Sequence, residues 1–293
     1  MLQRSVTALV GIPVLVAAVW LGAPWLTVLV LAAGVAGIWE LYRMTPANVS
    51  PTPVVLGAAW VVALLLGAQV ASGRDDFLII SGGVIAAGSF ASLLWFIAFY
   101  GRDGGRGGDT PGRSLRAGFC YLIGGPLYVG FLLAHVLVLR GITGSGIVEP
   151  VTDSTADLGR SWLLFAILVT FATDTGAFLV GRAVGSRPMA PSISPYKTWE
   201  GSAGGFVSAV AAALALGAVL SLGIPAWQQA VIGGVVGVVG QWGDLLESKL
   251  KRISAVKDAG SIIPGHGGLL DRLDSILFAL PAVYYLVATV FVP

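Results

Sequence analysis

A chain of 293 residues with a mean hydropathy of +0.87, 56% hydrophobic side chains and only 17 basic and 15 acidic residues is too apolar for a soluble domain. The composition points to a polytopic membrane protein. Its one cysteine, Cys120, excludes an intramolecular disulfide and a cysteine metal cluster, and reads as a small packing residue.

A bilayer core of ~30 Å and a helical rise of about 1.5 Å per residue ask for runs of roughly 20 apolar residues. Nine runs meet or approach that length: Ser5–Leu21, Trp25–Trp39, Pro53–Ala71, Phe77–Tyr100, Phe119–Leu139, Trp162–Ala183, Phe206–Leu222, Trp227–Leu250 and Leu273–Val292. The first follows Arg4 but is long for a signal peptide and ends in "WLGAPW", a poor cleavage site, so it is kept as a span. The expected class is therefore all-α, with an N-terminal region of about five spans (1–160) and a C-terminal region of about four (161–293) in one membrane domain. With the N-terminus inside, fourteen basic residues fall in inside segments and three, Arg74, Arg140 and Arg160, outside. That bias predicts a cytoplasmic N-terminus and an outside C-terminus.

The connections differ in character. "GAP" and "GIPA" are minimal turns, and "GITGSGIVEPVTDSTADLG" is an acidic outside loop without evident chemistry. The inside loop "GRDGGRGGDTPGRSLR" reads as a basic, flexible linker near anionic headgroups, since it lacks the helix-opening pattern of a P-loop.

Acids in or beside a membrane are costly, and they tend to be paired, metal-bound or functional. Asp174 falls in the middle of the sixth span, with Arg182 two turns further along the same side; an ion pair or a hydrogen bond to a neighbouring helix explains it as well as chemistry does. In "PSISPYKTWEGSAGG", Ser194, Lys197, Thr198 and Glu200 precede a small-residue helix. Hydroxyls, a lysine and free helix amides can hold a phosphate, although an ordinary cap fits too. In "GQWGDLLESKLKR", Asp244 and Glu247 share a helix face with Lys251 a turn beyond, as a salt bridge or as oxygen for a divalent ion.

The most polar stretch is "KDAGSIIPGHGGLLDRLDS", from Lys257 to Ser275. "PGHGG" cannot continue a helix, so it forms a tight loop around His266. Asp271 and Asp274 then stand at i and i+3 at the start of the last span, facing the same way. Such hard oxygen ligands suit Mg²⁺, which takes one or two carboxylates and leaves other positions to water and phosphates. The helix dipole alone also favours acids there, but does not account for Asp244, Asp258 and the nearby lysines. Acids for a metal, cations for phosphates and a histidine between glycines together fit phosphoryl or nucleotidyl transfer, with a nucleotide and an amphiphile as substrates.

The run "SKLKRISAVKDAGSIIPGHGGLLDRLD", Ser248 to Asp274, resembles the signature of the phosphatidate cytidylyltransferase (CDP-diacylglycerol synthase) family. Its fixed positions are filled by Ser248, Lys251, Arg252, Lys257, Asp258, Pro264, His266, Gly267, Gly268, Asp271, Arg272 and Asp274. "DTGAFLVGR" and "SPYKTWEG" are similar to two upstream family blocks, and the resemblance covers Trp162 to the end. It implies a many-helix dimer with a cytoplasm-facing polar cavity in the cell membrane. The activity implied joins CTP and phosphatidic acid into CDP-diacylglycerol and pyrophosphate with Mg²⁺ and a second cation such as K⁺; no nucleic-acid partner is implied. Asp244 and Asp271 match metal ligands of the family, a role extended here to Asp274 and Asp174.

In the mechanism expected from this reading the lipid phosphate attacks the α-phosphorus of CTP in line. Asp244, Asp271, Lys257 and His266 are the expected catalytic residues. Lys197, Lys251, Arg252, Lys257 and Arg272 would hold phosphates, with Ser194, Thr198, Glu200, Ser248, Asp258, Gly267 and Gly268 shaping the pocket, whereas His135 in the fifth span reads as packing. A CDP-alcohol phosphatidyltransferase is disfavoured because its D-G-x-x-A-R run is absent. An ion-coupled transporter is disfavoured because the charged motifs crowd the last third without an earlier copy.

Overall fold

The computed structural model describes residues 2–45, 53–100, 111–142, 157–263, 265 and 267–291. Each of the nine apolar runs forms most of a helical unit, so the chain is an all-α, polytopic membrane protein. The units are α1 (Leu2–Leu21), α2 (Trp25–Arg43), α3 (Val54–Val70), α4 (Arg74–Tyr100) and α5 (Pro111–Pro126), which runs through a π-helical turn at Leu127–Phe131 into α6 (Leu132–Arg140). Then come α7 (Leu158–Val184), α8 (Trp199–Val219), α9 (Ala226–Ile253) and α10 (Leu270–Tyr285), the last continued by π-helix at Leu286–Phe291.

Among the described residues six of these helices are long and apolar enough to cross a membrane unaided. Segments Leu9–Leu21 and Val54–Val70 are apolar but shorter. α9 has the length, at 28 residues, yet Gln228, Gln229, Gln241 and a charged end dilute it. It compensates by packing between α8 and α10, where Gly233 and Gly237 admit the backbone and Ala209 of α8. Small residues at such crossings let helices approach where lipid offers no hydrophobic drive.

Local chemistry sets the helix ends. Asp157 caps α7 by accepting from the Arg160 amide at 3.1 Å, and the same carboxylate takes the Arg140 guanidinium at 2.8 and 2.5 Å. Arg140 also donates to the Val19 carbonyl at 3.1 Å, so one arginine ties α1, α6 and α7 together. The core is packed with Trp162, Phe165, Leu277 and Val283, all without exposure. His135 is buried there as a packing residue, its Nδ1 2.9 Å from the Phe131 carbonyl and its ring edge-on to Phe77, Phe131, Tyr284 and Tyr285. Cys120, expected as packing, instead points outward.

One element departs from the expectation of helices and loops alone. Between α7 and α8 the chain forms a small antiparallel hairpin, β1 (Pro188–Ala190) with β2 (Ser194–Thr198). The ends of α7 and α9, the starts of α8 and α10, and this hairpin gather at one end of the bundle. The glycine-rich inside loop at residues 101–110, and most of the acidic outside loop, 143–156, lie outside the described residues.

Candidate active site

The hairpin exists because Glu200 holds its base. In the first turn of α8, the Glu200 carboxylate accepts from the amides of Ser186 and Arg187, both at 3.2 Å, and from the Ser186 hydroxyl at 2.8 Å. Just before it, Thr198 caps α8 by accepting from the Gly201 amide at 3.1 Å. Thr198→Ala should therefore lower stability by about 1 kcal/mol, as lost N-caps do, which a thermal melt in detergent would read. At the tip, Arg252 from the end of α9 donates to the Ile193 carbonyl at 3.2 Å.

Between hairpin, α7, α8 and α9 lies a cavity of ≈ 560 Å³ lined by Asp174, Arg182, Lys197, Thr198, Gln241 and Asp244, with Phe178, Met189 and Tyr196 among its apolar walls. β2 aims Lys197 across this space into an ion pair with Asp244. Asp174 accepts from the Ser275 hydroxyl of α10 at 3.3 Å, so the hydrogen bond to a neighbouring helix is formed. Asp274 accepts from the Ser275 amide at 2.7 Å and is close enough to Asp244 and Asp174 to interact electrostatically. One carboxylate thus contacts the Lys197 ammonium, and two more from two other helices lie within electrostatic reach of it.

A second polar knot adjoins the first. Lys251 places one ammonium between Glu247, at 2.6 Å, and Asp271, at 2.7 Å. Burial opposes the charge on Lys251, whose position lies past the apolar part of α9, but the two carboxylates outweigh it and raise its pKa above the ordinary lysine value. The other oxygen of Asp271 accepts from the amides of Gly268, at 2.9 Å, and Ala259, at 3.0 Å. That clasp fastens the loop onto the start of α10. Gly267 sits at φ +89° and its carbonyl accepts from the Ile263 amide at 3.1 Å, a backbone conformation that a side chain would strain.

The sequence-predicted residues consequently divide. Lys197, Asp244, Asp174 and Asp274 form one group, and Lys251, Asp271, Glu247, Gly267 and Gly268 the other. Asp271 and Asp274, expected to face the same way, join different groups because the loop amides and Lys251 draw Asp271 toward the loop. Thr198, Glu200 and Arg252 hold the hairpin. Ser194 and Ser248 are half-buried, while Lys257, Asp258 and Arg272 are exposed. His266 and Pro264 lie outside the described residues. Among the described residues no three His, Cys, Asp or Glu side chains converge tightly enough to form a finished metal cage.

Two residues escaped the sequence reading. Glu40, at the end of α2, is 1% exposed and accepts from the Leu270 amide at 3.0 Å. Its signal was legible: an acid directly after an apolar span. Tyr128, in the π-helical turn, buries a hydroxyl within electrostatic reach of Glu247, Asp274, Asp244 and Asp271; a tyrosine in an apolar run carries no such signal.

With this geometry in place, the comparisons with known proteins become informative. A model described as "Cytidylyltransferase family" matches residues 2–290. The phosphatidate cytidylyltransferase of Bacillus subtilis (strain 168) is 33% identical over 288 residues, which is 98% of this chain and 98% of that protein. The phosphatidate cytidylyltransferases of Staphylococcus saprophyticus and Staphylococcus aureus (strain COL) are 44% and 42% identical over 127 residues, covering 43% of this chain and 49% of each of theirs.

Proposed function

This chain belongs to the cytidylyltransferase family, and on that premise we infer that it is a phosphatidate cytidylyltransferase, joining CTP and phosphatidate into CDP-diacylglycerol in phospholipid biosynthesis. The observation that carries this reading is the near-complete, whole-length match to a phosphatidate cytidylyltransferase, in a chain with a charged cavity at one end of a membrane bundle. The transporter alternative has no comparable support.

In the reaction we propose, a phosphate oxygen of phosphatidate forms a bond to the α-phosphorus of CTP while the bond to the β-phosphate oxygen breaks and pyrophosphate leaves. Catalysis of this kind is largely positioning and charge neutralisation. Lys197, fixed by β2, and Arg182 on the cavity wall hold the phosphates. The apolar side of the cavity, with Phe178 and Met189, takes the start of the acyl chains. The exposed Lys257, Arg272 and Arg252 attract the incoming nucleotide. Lys251, expected to hold phosphate, also contacts Glu247 and Asp271.

The acids fit a divalent cation: Asp174, Asp244 and Asp274 offer hard oxygens from three helices against a single ammonium. Bound there, Mg²⁺ supplies charge neutralisation for the reacting phosphates. Asp244 would hold it, with Asp274 and Asp174 as neighbours, and a second cation such as K⁺ is part of the same proposal. Asp271, the other ligand that the resemblance implies, would have to exchange its contact with Lys251 to take part.

The assay that tests the function is pyrophosphate release by the purified protein in nanodiscs. Release that needs CTP, phosphatidate and Mg²⁺ together is the expected result. No release with all three, or substrate uptake into liposomes without CTP, would overturn it.

For topology, the basic-residue bias supports a cytoplasmic N-terminus and cavity and an outside C-terminus. In intact cells carrying Cys120→Ser, a membrane-impermeant maleimide is expected to label Asp75→Cys and to spare Tyr196→Cys, both highly exposed positions. The reverse pattern would invert the orientation. A homodimer remains part of the proposal, supported by the family resemblance and checked by mass measurement in native nanodiscs.

A further inference from the structure

Glu40 belongs to no signature block and lies 230 residues before the amide it binds. Its carboxylate is 1% exposed. One oxygen accepts from the Leu270 amide at 3.0 Å, the residue immediately before Asp271. The other oxygen has no hydrogen-bond partner among the described residues and lies against Gly260, where a Cβ would run into it. Gly260 in turn follows Ala259, whose amide is bound by Asp271 at 3.0 Å.

Glu40 therefore touches both chain segments that the Asp271 clasp joins. Gly37, one turn earlier on α2, leaves space for the Leu270 side chain, with 3.3 Å to a Cβ placed there. A buried carboxylate at the first amides of a helix is favoured by the helix dipole, and it is costly to leave unpartnered. Such an acid is more than the packing of an apolar helix requires.

We infer that Glu40 is a positioning residue for nucleotidyl transfer: it fastens the Ala259–Leu270 loop and the first turn of α10 to α2, and so sets where Asp271 and Asp274 stand. This rests on the cytidylyltransferase reading for its consequence in turnover, while the clamp itself is a statement about backbone amides. The N-terminal half of the bundle then takes part in the site rather than only carrying it in the membrane.

The test compares Glu40→Gln, which keeps an oxygen for the Leu270 amide, with Glu40→Ala, which removes it. Glu40→Ala is expected to lower kcat about 10- to 100-fold, the range for a displacement of roughly 1 Å at reacting groups, with the KM for CTP within about threefold. Glu40→Gln is expected to stay within about threefold of the unmodified protein in both. An unaffected Glu40→Ala protein, or a Glu40→Gln protein as impaired as Glu40→Ala, would overturn the inference.

Two further measurements keep it decidable. Gly260→Ala, which pushes against the carboxylate with Glu40 still present, should reproduce the loss in kcat even where Glu40→Ala fails to fold; normal turnover in Gly260→Ala would count against the clamp. Hydrogen exchange at the amides of Ala259 and Leu270 in nanodiscs should speed up in Glu40→Ala, and unchanged exchange would overturn the clamp. That readout needs no turnover, so absence of activity in the unmodified protein would sink the cytidylyltransferase reading and leave the clamp to be judged by exchange alone.

Discussion

Asp244→Asn should cut Mg²⁺-dependent turnover at least about 100-fold while the protein still inserts, purifies and melts like the unmodified chain. The asymmetry follows from where Asp244 stands. Its side chain is 32% exposed to the cavity and its one ion pair, with Lys197, is 25% exposed on the other side. Asp174 and Asp274 also lie within electrostatic reach of the Lys197 ammonium, so losing one carboxylate charge leaves it compensated and has little effect on the fold. In the proposed reaction the same charge would face a cation and polyphosphates in the cavity, where removing one aimed electrostatic contact typically costs about 10²–10³-fold. The check is kcat across a Mg²⁺ titration beside a thermal melt. Near-normal activity would remove Asp244 from the metal site. Asp271→Asn makes the informative contrast: its carboxylate is 12% exposed and binds Lys251 and two loop amides, so turnover and stability should fall together.

The largest loss of stability is expected from Lys251→Met. Glu247 is 1% exposed, and Lys251 is its ionic partner; the same ammonium also separates it from Asp271. Taking out one member of a buried pair leaves a charge that low-dielectric surroundings cannot solvate, a change worth about 3–5 kcal/mol. Replacing the pair by groups that need no such compensation is far milder, so Lys251→Met with Glu247→Gln should recover most of the melting temperature. A double variant as unstable as Lys251→Met alone would show that Asp271, and not Glu247, is the group Lys251 serves. Thermal melts of the three variants in one detergent decide this.

Much of the fold was legible because membrane insertion writes itself in composition. Nine apolar runs became nine helical units, and Asp244, just ahead of the signature block, lines the cavity. What stayed hidden has physical reasons. The β1–β2 hairpin spans three and five residues, too short for alternation to show, and its base is held by Glu200, which accepts from Ser186 and Arg187 just before β1. Drawing the second span to end at Trp39 put Glu40 in a connection, although α2 continues to Arg43. Spacing along one helix placed Asp271 and Asp274 on one face; it could not show that the preceding loop folds back to supply two amides and Lys251 to the first of them. The Lys251–Glu247 pair was legible from its i,i+4 spacing, whereas the contact of Lys251 with Asp271, 20 residues further on, was not.

The contact between Glu40 and Leu270 also has a consequence in time. Ribosomes add roughly 5–20 residues each second, so the acid of α2 enters the bilayer region roughly 10–50 s before the amide that will receive it has been made. Throughout that interval every helix from α3 to α9 is being laid down around an acid whose final partner does not yet exist. α10 is thus the helix that completes α2, and this site cannot assemble until α10 has been made.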